Sequence, residues 1–292
     1  MTPERIEKTM VMRYNIIGYI VKTSGKKLCL YTRQEEIDMR ISIMRDGLCL
    51  RGRVDKKEGG KCPAVILLHG FSGNMGCEEG NLFQTITDRL VEEGMAVVRF
   101  DFNGHGESDG DFSKMDVLNE LEDAIAVLTY VRNLDFVTDI YVVGHSQGGV
   151  VAGLLAGCYP DVIRRLVLLA PAASLKTDAQ KGTCMGTVYD TEHIPDVVNV
   201  GDGRPVGGHY FRIAKWLPIY EVAGLYKGEA LVICGGKDAV IDESACSRYG
   251  QVMENCKVER IEKLDHGLQG EDQRIMFQKL VDFLKRQPAC SV

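Results

Sequence analysis

Short apolar runs alternate with stretches of helical period from Ala64 onward, and no other feature of the chain constrains its fold as tightly. Ala64-Val-Ile-Leu-Leu-His69, Ala96-Val-Val-Arg-Phe-Asp101, Ile140-Tyr-Val-Val143, Leu166-Val-Leu-Leu-Ala170 and Ala230-Leu-Val-Ile-Cys234 read as strands with little or no polar face. Between them, Leu82, Ile86 and Leu90 share one helical face. Leu118, Leu121, Ile125, Leu128 and Val131 repeat along the next helix, and a helix of small residues runs from Gln147 to Gly157. Strands that are apolar on both sides need cover on both sides. The pattern therefore predicts an α/β fold with a mostly parallel central sheet and helices on both faces. Upstream, Ile41-Ser-Ile-Met44 and Leu48-Cys-Leu-Arg-Gly-Arg-Val54 flank Asp46-Gly47, the signature of a β-hairpin.

The rhythm breaks between about residues 173 and 222, a stretch rich in Gly, Asp and Pro that carries Tyr189, Tyr210, Phe211, Trp216 and Tyr220. It reads as an inserted cap over the sheet. Residues 1–36 are basic and lack a period, so they form an N-terminal extension with no assigned role. A flexible arm, an extra strand pair and an over-early start are its open readings. The main domain is expected over residues 37–292.

A chain of 292 residues can bury a stable core without metals or disulfides. The net charge of −6 argues against nucleic acid, which needs a basic surface. Ten cysteines show no C-x-x-C pair, and several lie inside apolar runs, as Cys234 does; they suit buried thiols in a reducing, cytoplasmic location. The six histidines lack metal-ligand spacing, so neither a metal nor another cofactor is expected. Ile16 to Val21 is far shorter than the roughly 20 residues that span a membrane, and no membrane partner is expected. A homodimer remains open.

Two segments match G-x-S-x-G. Gly106-Glu-Ser-Asp-Gly110 lies past its strand, and acids flank its serine. Gly144-His-Ser-Gln-Gly148 directly follows a strand and opens a helix, the setting of a nucleophile elbow. The helix N-terminus brings a positive dipole end to a developing oxyanion. An ordinary N-cap serine does not need glycine on both sides, so Ser146 is the expected nucleophile.

A serine hydroxyl needs a base, and elbows of this kind are followed along the chain by an acid and then a histidine. His266, in Lys263-Leu-Asp-His-Gly267, is the expected base; His193 and His209 fall in the insertion. Asp238 emerges at the carboxyl end of a strand, where sheet ligands bind, and is the expected acid; Asp242 and Glu243 compete, while Asp265 adjoins the histidine. The backbone amides of Gln147 and Phe71 are expected to form the oxyanion hole. His105 and His145 lie in turns that shape the site and read as structural.

Together, His69-Gly-Phe-Ser-Gly-Asn74, Asp101-Phe-Asn-Gly-His-Gly-Glu-Ser-Asp-Gly110, Gly144-His-Ser-Gln-Gly-Gly-Val150 and Leu169-Ala-Pro-Ala-Ala173 resemble the bacterial cinnamoyl (feruloyl) esterases of the α/β-hydrolase superfamily. The insertion contributes Leu175-Lys-Thr-Asp178, His193-Ile-Pro-Asp196 and Leu217-Pro-Ile-Tyr-Glu-Val222 to the likeness. The resemblance implies an α/β-hydrolase fold with a small cap. It also implies a carboxylic ester hydrolase acting on small-molecule hydroxycinnamate esters (ferulate, caffeate, chlorogenate) through an acyl-enzyme on Ser146. Asp178 matches a substrate-binding cap residue that hydrogen-bonds the phenolic hydroxyl. Met185 stands where the family can carry a polar residue, and Gly267-Leu268 departs from its Cys-aromatic pair. A general short-chain carboxylesterase, lipase or thioesterase of the same fold is the alternative.

Overall fold

The computed structural model describes residues 9–13 and 36–286. The N-terminal extension expected over residues 1–36 therefore lies outside the described residues, except for one strand and Glu36. That strand, β1 (Thr9–Arg13), pairs antiparallel with β2 (Glu36–Arg45). Next, β2 turns into β3 (Leu48–Lys57) through Asp46 and Gly47, whose positive φ values of 49° and 84° are those a two-residue hairpin turn requires.

The alternating section follows: β4 (Cys62–Leu68), α1 (Leu82–Glu92), β5 (Ala96–Phe100), α2 (Val117–Arg132), β6 (Val137–His145), α3 (Gln147–Cys158) and β7 (Ile163–Leu169). The inserted stretch is compactly built. It holds α4 (Leu175–Lys181), a tiny hairpin of β8 (Thr183–Cys184) and β9 (Thr187–Val188), and a second hairpin of β10 (Val197–Val200) and β11 (Arg204–Gly207). Helices α5 (Gly208–Ala214) and α6 (Ile219–Ala223) complete it. The chain then returns through β12 (Glu229–Gly235), α7 (Glu243–Val252), β13 (Cys256–Ile261) and α8 (Gln273–Lys285).

Among the described residues the main sheet has nine strands, in the order β1-β2-β3-β5-β4-β6-β7-β12-β13. Pairings from β1 through β3 to β5 are antiparallel, and all later ones are parallel. Side chains of β4 show why the strands are apolar throughout. Ala64, Ile66 and Leu68 enter the core shared with α2, α3 and the cap, while Val65 and Leu67 enter the core under α1 and α8. The cap carries its own apolar centre, where Tyr189 and Phe211 lie 4.6 Å apart. Trp216 is not part of that centre and stays 78% exposed.

Helix α2 buries Leu128 and Val131 as expected and packs Leu121 and Ile125 half-buried against the core, but its inward face is shifted at the start of the helix. Leu118 is 43% exposed, and the buried stripe instead runs through Val117, Glu120, Asp123, Ala124, Val127, Leu128 and Val131. Two acids lie on that stripe: both oxygens of Asp123 are paired, whereas one oxygen of Glu120 has no partner among the described residues. Asp123 accepts from the Asn103 amide and side chain at 2.8 and 2.7 Å and from Arg45 at 2.7 Å. Glu120 accepts from Gln147 at 2.8 Å.

Candidate active site

Ser146 is the single residue between β6 and α3, at φ 55° and ψ −122°. A residue with a side chain in such a conformation stores on the order of 1–3 kcal/mol of strain, which the surroundings must enforce. They do so by close packing. A Cβ on Gly144 would lie 2.2 Å from the Gly148 carbonyl oxygen, and one on Gly148 would lie 2.2 Å from that of His69. Backbone bonds from Ser146 N to Leu169 O and from Ala172 N to Ser146 O, both 2.9 Å, fix the turn against β7.

His266 lies on the loop between β13 and α8, and Asp238 on the loop between β12 and α7. The structure aligns them with the serine: Ser146 Oγ is 2.9 Å from His266 Nε2, and His266 Nδ1 is 2.9 Å from Asp238 Oδ2. The other carboxylate oxygen of Asp238 accepts from the Val240 and Ile241 amides at 2.8 and 2.9 Å. Burial works against its charge, but the bonds from His266 and those two amides outweigh it and hold the carboxyl below the usual range. An ionised Asp238 keeps the ring proton on Nδ1, so Nε2 is free to take the serine proton.

The competing acids are engaged elsewhere. Asp242 caps α7 through Ser244 N, Glu243 lies 3.3 Å from Arg260, and Asp265 accepts from Gln269 N. His193 is exposed beside Asp190, and His209 reaches the Lys114 carbonyl. Ser108 of the second G-x-S-x-G donates to Asp101 O and accepts from Arg51 N, which ties the end of β5 to β3.

Phe71 and Gln147 both border the space above Ser146, and among the described residues no acceptor takes either backbone amide. Gly70 lets that loop approach, since a Cβ there would lie 2.9 Å from Ser146 Cβ. His69 shapes the loop from beneath: Phe102 N donates to its Nε2 at 3.1 Å, so its Nδ1 proton goes to Gly70 O at 2.9 Å. Burial lowers the His69 pKa to about 3 and keeps the ring neutral. His145 is likewise held neutral by burial, near 4, and its Nε2 donates to the His266 carbonyl at 2.9 Å. His145 thus anchors the loop that carries His266.

A cavity of about 650 Å³ opens from Ser146 beneath the cap. Leu175, Ala179, Phe211 and Ile241 make much of it apolar, and Asp178, Tyr210 and the exposed Met185 also border it. Sequence reasoning missed Glu120 and Tyr210. The Tyr210 hydroxyl donates to Gln147 Oε1 at 2.7 Å, and Gln147 Nε2 donates to Glu120. Burial pushes the Glu120 carboxyl up to about 8, so it keeps its proton at neutral pH. A signal existed: Glu120 falls four residues before Ala124 on the stripe that α2 turns inward.

Among the described residues, no group of three or more His, Cys, Asp or Glu could hold a metal, and no helix is long and apolar enough to cross a membrane. Of the described cysteines, Cys234 and Cys246 are buried, Cys49, Cys62, Cys184 and Cys256 are half-buried, and Cys77 and Cys158 are exposed.

A mostly parallel sheet with an inserted cap, bearing a serine, histidine and aspartate in hydrogen-bonded line, defines a hydrolase of the α/β type. Comparison with known proteins places the chain in that superfamily. A family model described as "Serine aminopeptidase, S33" matches residues 60–190. Est1E from Butyrivibrio proteoclasticus, in its structure with ferulic acid bound, is 33% identical with a TM-score of 0.79, over 83% of this chain and 97% of that one. The chain belongs to the α/β-hydrolase superfamily, with Est1E as a relative. Pyrrolizixenacetamide deacetylase of Xenorhabdus hominickii is 30% identical over 122 residues, 42% of either protein. An uncharacterised protein of Mycobacterium bovis is 31% identical over 175 residues, 59% of this chain and 43% of that protein. The matches thus span less than half the length of these curated relatives.

Proposed function

We propose that the protein is a serine esterase that cleaves carboxylic esters, most favourably those of hydroxycinnamic acids, through an acyl-enzyme on Ser146. The observation that carries this reading is the Ser146–His266–Asp238 line, with 2.9 Å at each step, on a strained elbow that opens into the cap cavity. Ser146 Oγ attacks the ester carbonyl as His266 Nε2 takes its proton. The Phe71 and Gln147 amides receive the oxyanion, each worth on the order of 10²–10³ in rate. His266 then protonates the departing alcohol, and water repeats the sequence to release the acid. No step calls for a metal or organic cofactor.

Three observations support the aromatic acyl preference: the relation to a protein whose structure binds ferulic acid, a cavity large enough for a phenylpropenoyl group, and Asp178 on its wall. Asp178 is proposed to accept from the phenolic hydroxyl. Buried Cys234 and Cys246 pack side by side as free thiols, which suits the proposed cytoplasmic location.

The test is hydrolysis of methyl ferulate and methyl caffeate beside 4-nitrophenyl acetate and butyrate, by the protein and by Ser146→Ala. A serine-dependent preference for the hydroxycinnamates is expected. Activity confined to the aliphatic esters would move the substrate to that of a general carboxylesterase, and activity surviving in Ser146→Ala would refute the mechanism.

A further inference from the structure

In the proposed esterase mechanism the backbone amide of Gln147 receives the oxyanion, and the buried side chain of the same residue is held at both ends. Its Nε2 donates to Glu120 on α2 at 2.8 Å, and its Oε1 accepts from the hydroxyl of Tyr210, on α5 of the cap, at 2.7 Å. Gly148 and Gly149 follow, so Gln147 carries the one side chain in the first three positions of α3. A helix start built on glycine has backbone freedom, through which the strained Ser146 turn could relax unless something holds it.

Tyr210 bears on the second oxyanion residue as well. Its ring meets that of Phe71 with centroids 5.9 Å apart and planes at 63°, and Phe71 packs in turn against Phe112 at 5.2 Å. One cap residue thus contacts both residues assigned to the hole, Gln147 through its hydroxyl and Phe71 through its ring. Glu120 is the fixed end of the chain. It is buried in α2, and among the described residues Gln147 is the one partner of its carboxyl, since Oε1 has none. Burial, with the acids Asp123 and Asp116 nearby, keeps it protonated. A neutral carboxyl can anchor the Gln147 amide without setting a negative charge behind the developing oxyanion.

Resting on the esterase reading, we infer that Glu120 and Tyr210 are positioning residues for the oxyanion hole: Glu120 fixes the Gln147 side chain from the core, and Tyr210 clamps Gln147 and Phe71 from the cap. The cap then serves every ester cleaved at Ser146, including those too small to reach its inner wall. Preorganised donors stabilise an oxyanion only while they are aimed at it, within about 0.5 Å. Loosening either end therefore lowers turnover and leaves ground-state binding in place.

Steady-state kinetics on vinyl acetate and methyl ferulate test this with Tyr210→Phe, Glu120→Met and Glu120→Gln, and thermal melts establish that each variant is folded. Vinyl acetate has no aromatic ring in either half, so a ring contact with the cap cannot assist it. Tyr210→Phe keeps the ring against Phe71 and removes only the hydroxyl. It lowers kcat about fivefold on both esters and leaves KM within about twofold. Glu120→Met takes the acceptor from Gln147 and lowers kcat at least as much, toward the roughly 10² that a whole lost donor costs. Glu120→Gln restores a neutral acceptor of the same shape and recovers most of that loss.

A folded Tyr210→Phe protein whose kcat is unmoved on both esters overturns the clamp. A loss confined to methyl ferulate, or one carried by KM alone, also overturns it, because it marks Tyr210 as a contact to the substrate ring. Glu120→Gln as slow as Glu120→Met overturns the neutral anchor. Should Glu120→Met fail to fold, a Glu120→Gln protein slowed tenfold or more on both esters overturns the anchor by itself. If the unaltered protein turns over no carboxylic ester, the esterase reading fails, and that is seen before any variant is compared.

Discussion

Replacing Asp238 by Asn changes one atom that matters. Asp238 Oδ1 is fixed by the Val240 and Ile241 amides, so an asparagine keeps its carbonyl there and turns its NH₂ toward His266. That NH₂ would stand where Oδ2 now lies, 2.9 Å from Nδ1, and it can only donate. The imidazole must then carry its proton on Nε2, the nitrogen 2.9 Å from Ser146 Oγ, and can no longer accept the serine proton. The expected loss in kcat is about 10⁴, or about 5.5 kcal/mol of transition-state stabilisation. If Asp238 merely braced its loop, Asp238→Asn would cost about 1–3 kcal/mol of stability and little rate. Initial rates with 4-nitrophenyl acetate, together with thermal melts, separate the two cases. Asp242→Asn is the comparison, because asparagine caps a helix as well as aspartate does and Asp242 makes no contact with the imidazole. A folded Asp238→Asn protein with a rate within tenfold of the unaltered one would refute the assignment.

Two further outcomes concern the frame around the site. Gly148→Ala should destabilise the protein by about 3 kcal/mol or more, because its Cβ would meet the His69 and Leu68 carbonyl oxygens at 2.2 and 2.3 Å; a denaturant midpoint close to that of the unaltered protein would contradict this. Glu120→Gln should alter the pH dependence of stability. Burial holds the Glu120 proton until about pH 8, whereas in the unfolded chain it leaves near the ordinary glutamate value, about 4.3. The stability tied to that raised pKa is fully present below about pH 4.3 and is lost as pH rises through about 8. Glu120→Gln removes this dependence, so its stability relative to the unaltered protein should grow by up to about 1.4 kcal/mol per pH unit across the window. Urea denaturation at pH 5, 6, 7 and 8 measures the difference, and a constant offset would contradict the expectation.

The parallel strands and the elbow were legible in the sequence because their causes are local. A strand buried on both faces leaves no polar position, as β4 illustrates, and a serine in a left-handed turn between tightly packed backbones demands glycine at 144 and 148. The hairpin turn at Asp46-Gly47 was legible for the same reason. Helix α2 misled at its start because Leu118 is as apolar as a core residue, while the residues that turn inward there include Glu120 and Asp123. Their burial is decided by Gln147, Asn103 and Arg45, partners distant in sequence that no helical period reveals. The cap was recognised only as a break in rhythm, because its strands are two to four residues long and its order rests on tertiary contacts such as Tyr189 with Phe211. The place of Tyr210 depends on which side-chain atoms face each other, and spacing does not encode that.

The proposed chemistry stands on one atom, Ser146 Oγ, being the nucleophile. Treatment with a fluorophosphonate followed by peptide mass analysis tests it most directly. The expected result is one equivalent of adduct on the peptide carrying Ser146, complete loss of esterase activity in proportion, and no adduct in Ser146→Ala. Adduct on another residue, or full activity in a protein labelled at Ser146, would contradict it.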